Sequence, residues 1–272
     1  MTDPRERLSL AEHAAAPQRD LPQPPPLRLQ PQTTLFLDFD GTLVDIAEHP
    51  DAVIVSPALP GILQSLSDRL EGRLALISGR SLAALEAMLG PMEIAMAGSH
   101  GGEFRPSRTG AVEALADPLA PRVTETLAGF ARANADMLVE PKPFSVAVHY
   151  RHHPHARDAL LALAQEIADA EGLRLKHGKQ VVELVMPGSD KGSAVASFMA
   201  RTPFAGTAPL FVGDDVTDED AFAAVGDFAG TGVLVGPLRR TAAHWRLPDV
   251  SAVHRWLEGG LDEHANERGD RP

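Results

Sequence analysis

The chain has 272 residues, 44% hydrophobic and 23% charged, and a net charge of −12, so it reads as an ordinary globular protein without an extended nucleic-acid footprint. It contains no cysteine, which excludes disulfides, thiolate metal sites and cysteine nucleophiles. No stretch approaches the roughly 18 apolar residues of a membrane helix, and the charged N-terminus holds no signal-peptide core. A soluble, cytoplasmic protein that binds neither nucleic acid nor membrane is expected, as a monomer or a weak dimer.

Residues 17–32, PQRDLPQPPPLRLQPQ, are rich in Pro and Gln and read as an extended linker, because proline lacks an amide donor and resists helix. TLFL (34–37) is apolar throughout, as a strand covered on both faces should be. Ser56 and Pro57 predict the start of a helix, whose Leu59, Ile62, Leu63, Leu66 and Leu70 keep helical spacing. Further strands are predicted at 73–77, 93–97, 210–212 and 232–235, and helices at 81–89, 190–201, 217–225 and 251–258. Short apolar strands alternating with amphipathic helices define an α/β fold. The middle differs: helices at 121–136 and 155–171 accompany strands at 145–150, 173–176 and 181–185, which predicts a separate small α+β lid. SVAVHY (145–150) alternates, so one of its faces is expected to meet solvent or a ligand. The expected partition is a flexible segment 1–32, a core in two parts (33–103 and 187–260), a cap at 104–186 and a flexible tail at 261–272.

Four motifs carry chemistry. Asp38-Phe39-Asp40-Gly41-Thr42 follows the first strand, where open parallel sheets bind ligands. Side chains two apart share a face, so Asp38 and Asp40 converge, and the amides after Gly41 can form an anion-binding nest. Ser78-Gly79-Arg80 lies between a strand and a helix, where a hydroxyl and free amides suit phosphate oxygens. Lys191, at a helix start, opposes the helix dipole unless an anion faces it. Asp214, Asp215, Asp218 and Glu219 cluster after the strand at 210–212 as hard-oxygen ligands that suit Mg²⁺. Each motif alone also reads as capping or a solvated face. Together they supply a nucleophile, phosphate donors and metal acids at one sheet edge. Asp38, Asp40, Asp214, Asp215 and Asp218 total −5, and a phosphate dianion adds to that; Lys191 alone cannot balance it, so the count supports a divalent cation.

In order and context these stretches resemble the haloacid dehalogenase-like phosphatases. The resemblance implies a Rossmann-like core with a parallel sheet and a cap inserted between the second and third motifs. It implies Asp38 as nucleophile, Asp40 as acid and base, and Mg²⁺ held by Asp38, the Asp40 carbonyl and Asp214, with Asp215 and Asp218 nearby. Thr42, Ser78, Gly79 and Lys191 would hold the phosphoryl group. Within that superfamily, Gly98-Ser99-His100-Gly101, Glu140-Pro141-Lys142, His149-Tyr150-Arg151, Lys179 and Glu183 resemble the trehalose-6-phosphate phosphatases. Arg80, His100, Glu140, Lys142, Arg151, Lys179 and Glu183 are then the expected sugar contacts, because carboxylates accept from hydroxyls while Lys and Arg donate to them. Sucrose phosphate, mannosyl-phosphoglycerate and hexose phosphates stay open as substrates, and so does a non-catalytic sugar-phosphate-binding module.

Overall fold

A computed structural model of the chain describes residues 20–47, 52–115, 117–135, 137–178 and 180–269. In chain order its elements are β1 (Thr33–Leu37), α1 (Leu59–Arg69), β2 (Leu74–Ile77), α2 (Leu82–Leu89), β3 (Ala95–Gly98), β4 (Glu103–Arg105) and β5 (Glu113–Ala114). Then follow α3 (Pro121–Ala133), β6 (Leu138–Pro141), β7 (Ser145–His149), α4 (Arg157–Glu171), β8 (Arg174–Gly178) and β9 (Val181–Val185). The chain ends with α5 (Lys191–Met199), β10 (Ala208–Gly213), α6 (Glu219–Gly226), β11 (Thr231–Val235), β12 (Trp245–Leu247) and α7 (Val250–Gly269).

The larger sheet has the order β12-β11-β10-β1-β2-β3-β4-β5, parallel from β12 to β3 and antiparallel beyond. Alternation along β1 and β2 explains its two-sided burial. Leu35, Leu37, Leu74 and Leu76 enter one core with Leu residues of α1, α2 and α7, while Phe36, Ala75 and Ile77 enter another with residues of α5 and α6. Phe36 stacks against Phe204 and tilts against Phe198 at centroid distances of 5.7 and 5.6 Å. Truncating it to alanine would cost about 3–5 kcal/mol.

The smaller sheet, β6-β7-β9-β8, is antiparallel. Val146, Val148, Val182 and Leu184 turn one face toward α3 and α4, packing on Val123, Leu127, Leu160 and Ala164. The opposite face carries Ser145, Ala147, Glu183 and Lys176; Ser145 and Ala147 are buried there, while Glu183 and Lys176 are only partly covered and line a cleft.

Four expectations change. The segment from Asp20 to Gln32 is docked rather than free. Leu27 and Leu29 are buried in the core, Trp256 donates to the Pro25 carbonyl, the Arg246 amide donates to Pro22 and its guanidinium grips Asp20. Residues 1–19 lie outside the described residues. The helix after β1 starts at Leu59, with Ala58 at its cap and Pro60 in its first turn. Ser56 contributes its carbonyl to the Leu59 amide. Residues 104–114 extend the core sheet as β4 and β5, so the cap begins near α3. At the C-terminus, α7 continues through Gly269 where a flexible tail from 261 is expected. Residues 270–272 lie outside the described residues.

Candidate active site

β1 lies between β10 and β2, and the crevice beyond their carboxyl ends collects the motifs. Asp38 follows β1 directly, Ser78 follows β2, Asp214 follows β10 and Lys191 opens α5. The Lys191 ammonium, buried with its partners, donates to Asp38 at 2.6 Å and to Asp218 at 2.5 Å. Asp214 completes the group: one carboxylate oxygen each of Asp38, Asp214 and Asp218 lies within 4.8 Å of the others. Gly41 makes this approach possible. It turns with φ +76, and a Cβ there would lie 2.2 Å from Asp214 Oδ2.

The electrostatics follow from crowding. Burial pushes the Asp38 carboxyl up, the Lys191 ammonium opposes that, and Asp218 and Asp214 add to the rise. Burial alone would lower Lys191, but Asp218 and Asp38 more than reverse it, so it stays charged. Burial, then repulsion from Asp218, raises Asp214 to about 6. Three carboxylates around one ammonium carry a net −2 when ionised, which a divalent cation would neutralise. The donors are hard carboxylate oxygens, so the residues present fit Mg²⁺.

Asp40 and Arg80 form a bidentate pair, both contacts at 2.7 Å, and Arg80 also lies over the Phe39 ring. Arg80, expected among sugar contacts, therefore holds the carboxylate of Asp40. Ser78 is buried and its Oγ accepts the Arg80 amide at 3.1 Å. The Thr42 hydroxyl lies 3.5 Å from both Asp38 and Asp214. Two expectations fail in this loop and the next. The amides of Thr42, Leu43 and Val44 donate to the Phe39 carbonyl, and that of Gly41 to Val44, so the expected nest is consumed inside the turn. Asp215, expected among the metal acids, is exposed and caps the short turn Val216–Asp218, accepting from the Val216 amide while Asp218 accepts from the Asp215 amide.

Over this crevice the cap contributes a cleft lined by Gly79, Ser81 and Ser99 from the core and Lys142, Phe144, Ser145, Lys176 and Glu183 from the cap. Glu183 accepts from Ser145 Oγ at 2.7 Å and lies 3.6 Å from Lys142 Nζ. Glu140 is more exposed, 3.6 Å from Lys142 and 3.3 Å from His149. Arg151 is exposed in the turn after β7 and does not line the cleft. His100 belongs to the short turn Ser99–Gly101 after β3. Lys179 lies outside the described residues. Sequence reasoning missed Lys176, yet alternation along β8 offered the signal, since its register partner is Glu183.

A parallel sheet covered by helices on both faces, strand-end acids and a cap between the second and third motifs define a phosphatase of the haloacid dehalogenase-like superfamily. More narrowly, the model of the trehalose-phosphatase family matches residues 36–251, and the chain belongs to that family. It is 41% identical over 229 residues to the trehalose-6-phosphate phosphatase of Escherichia coli (strain K12), covering 82% of this chain and 84% of that one. Among solved structures, the trehalose-6-phosphate phosphatase of Aspergillus fumigatus superposes with a TM-score of 0.65 at 26% identity, over 85% of this chain and 93% of that one. A haloacid dehalogenase-like hydrolase from Bacteroides thetaiotaomicron shares the fold, with a TM-score of 0.60 at 17% identity over 83% and 98% of the two chains. Among the described residues no helix is long and apolar enough to cross a membrane.

Proposed function

We propose that the protein hydrolyses trehalose 6-phosphate to trehalose and phosphate, by transfer of the phosphoryl group to Asp38 and then to water. The observation that supports this most directly is the buried Asp38–Lys191–Asp218 set beside Asp214, at the carboxyl ends of the central strands. Phosphoryl transfer asks mostly for positioning and charge neutralisation, which this set supplies.

Lys191 fixes Asp38 Oδ1, so Oδ2 is the less engaged oxygen and attacks phosphorus in line. The bond to the sugar 6-oxygen breaks as Asp40 gives that oxygen its proton. Asp40 then takes a proton from water, which attacks phosphorus and returns Asp38 to a carboxylate. Arg80, which holds both Asp40 oxygens, orients the carboxylate for proton uptake from water, and one of the two contacts gives way when Asp40 carries the proton for the leaving oxygen. Lysine has three donors, and two serve Asp38 and Asp218, which leaves the third for a phosphoryl oxygen. Ser78, Thr42 and the Gly79 amide supply further donors. Mg²⁺ bound by Asp38, Asp214 and the Asp40 carbonyl, with Asp218 beside it, would neutralise charge on the transferring group. In the cap, Glu183, Lys142 and Glu140 meet the sugar hydroxyls. Exclusion of bulk water under the cap strengthens each of these interactions.

The test is phosphate release from trehalose 6-phosphate, sucrose 6-phosphate and glucose 6-phosphate, with and without Mg²⁺. The highest kcat/KM is expected for trehalose 6-phosphate, with loss of turnover in chelator. Turnover of none of the three refutes the proposal, and a clear preference for another sugar refutes its substrate.

A further inference from the structure

Two cations of one cap strand reach across to the core. Both Arg174 and Lys176 lie on β8, two residues apart and hence on one face. Arg174 pairs with Asp190 and lies 4.0 Å from Asp220, while Lys176 donates to Asp220 at 3.1 Å. Neither acid serves the catalytic cluster, and both belong to the core: Asp190 caps α5, and Asp220 lies in the first turn of α6.

Asp190 has a double task. Its Oδ1 accepts from the Ser193 amide at 2.8 Å and from the Ser193 hydroxyl at 2.9 Å, which fixes the start of the helix carrying Lys191. Its Oδ2 takes Arg174. The carboxylate that anchors the phosphate-site helix is therefore also the anchor for the cap. On the cap side, Lys176 stands opposite Glu183 in the register of β8 and β9, so its hold on Asp220 fixes the row that carries Glu183. Packing against α5 is close as well, since a Cβ on Gly192 would lie 2.5 Å from the Asp220 carbonyl. Asp220 thus belongs to a stiff part of the core.

We propose that Arg174 and Lys176, with Asp190 and Asp220, form an ionic clasp that positions the cap's sugar-binding face over the phosphate site. These are positioning residues that act through Glu183 and Lys191 rather than by touching the reacting atoms. The clasp rests on the proposed function insofar as a sugar bound to the cap must be aligned with the core. A substrate that the cap barely touches, such as p-nitrophenyl phosphate, should depend on it less. Being partly solvated, the pairs should also weaken as salt screens them.

The test compares kcat/KM for trehalose 6-phosphate with that for p-nitrophenyl phosphate in the wild type, Lys176→Met, Asp220→Asn and the double variant. The clasp predicts that the ratio of the two falls about tenfold in either single variant and little further in the double, because both remove the Lys176–Asp220 pair, the shorter of the two contacts to Asp220. Loss in Lys176→Met with Asp220→Asn unchanged overturns the proposal, as it would make Lys176 a direct sugar contact. Multiplying losses, or no change, also overturn it. Should the wild type turn over only the aryl ester, the proposed function fails while the clasp remains testable by distance. The chain has no cysteine, so Ser65→Cys on α1 and Glu125→Cys on α3 accept one spin label each. The core-to-cap distance distribution should then broaden in Lys176→Met, in Asp220→Asn and in the parent at high salt. An unchanged distribution in all three overturns the clasp.

Discussion

Lys191→Met perturbs the site at its electrostatic centre. The ammonium is almost fully buried, 3% exposed, and bonds two carboxylates at 2.6 and 2.5 Å. Removing it takes the ionised cluster from −2 to −3, with Asp38 and Asp218 buried and only Asp214 partly exposed. Breaking a buried pair in this way costs about 3–5 kcal/mol, because the partner charges stay behind in low dielectric. Protonation relieves the same repulsion, so the loss should shrink as pH falls toward the raised values of Asp38 and Asp214. The assay is urea unfolding of metal-free protein at pH 7.5 and pH 5, followed by the fluorescence of Trp245 and Trp256. The midpoint should drop strongly at pH 7.5 and less at pH 5, with the slope against urea unchanged. Adding Asp218→Leu to Lys191→Met should recover part of the stability and none of the activity. A loss below about 1 kcal/mol at pH 7.5, or one of equal size at both pH values, would refute the reasoning.

Three further outcomes follow from the same geometry. Asp214 rises from 3.8 to about 6 in the fold, so the folded state holds that proton more tightly than the unfolded chain. Its penalty is therefore absent below pH 3.8, grows as pH climbs to about 6, and is complete above it. Solvent screening of this partly exposed carboxyl leaves roughly 1–2 kcal/mol. Asp214→Asn should thus raise the urea midpoint of metal-free protein at pH 7.5, with little effect at pH 4, while isothermal titration shows weakened Mg²⁺ binding. Arg80→Lys keeps the charge but loses the fork on Asp40. It should lower turnover of trehalose 6-phosphate, which needs its leaving oxygen protonated, about tenfold more than that of p-nitrophenyl phosphate in single-turnover assays, and equal losses contradict the positioning role. Glu183→Gln, which weakens the contacts to Ser145 and Lys142, should raise KM for trehalose 6-phosphate by about tenfold with little change for the aryl ester.

The parts legible in the sequence were those with a local cause. The apolar run TLFL, the alternation in SVAVHY and the strand-end spacing of Asp38, Ser78 and Asp214 each fix an element or a position through period and turn chemistry. The change of pattern in the middle, two helices among strands at 145–150, 173–176 and 181–185, announced the cap. The rest depended on tertiary choices that local pattern does not set. A proline-rich stretch reads as extended whether free or docked, and only the packing of Leu27 and Leu29 shows which. In the run Asp214, Asp215, Asp218 every acid looks like a ligand, and the backbone decides which faces the crevice and which caps the turn. Arg80 illustrates the same point, because a guanidinium beside a phosphate loop suits an anion, and here that anion is Asp40. The cross-domain pairs of Arg174 and Lys176 had no sequence signal beyond their alternation on β8.

The central claim is that Asp38 itself receives the phosphoryl group. Wild-type protein mixed with trehalose 6-phosphate and Mg²⁺, quenched in acid within the first turnover, should carry one phosphoryl group on the peptide containing Asp38 when read by mass spectrometry. Trehalose should appear in step with it, and Asp38→Asn should show neither. Release of trehalose and phosphate with no phosphorylated peptide at any quench time, together with retained turnover in Asp38→Asn, would contradict the account.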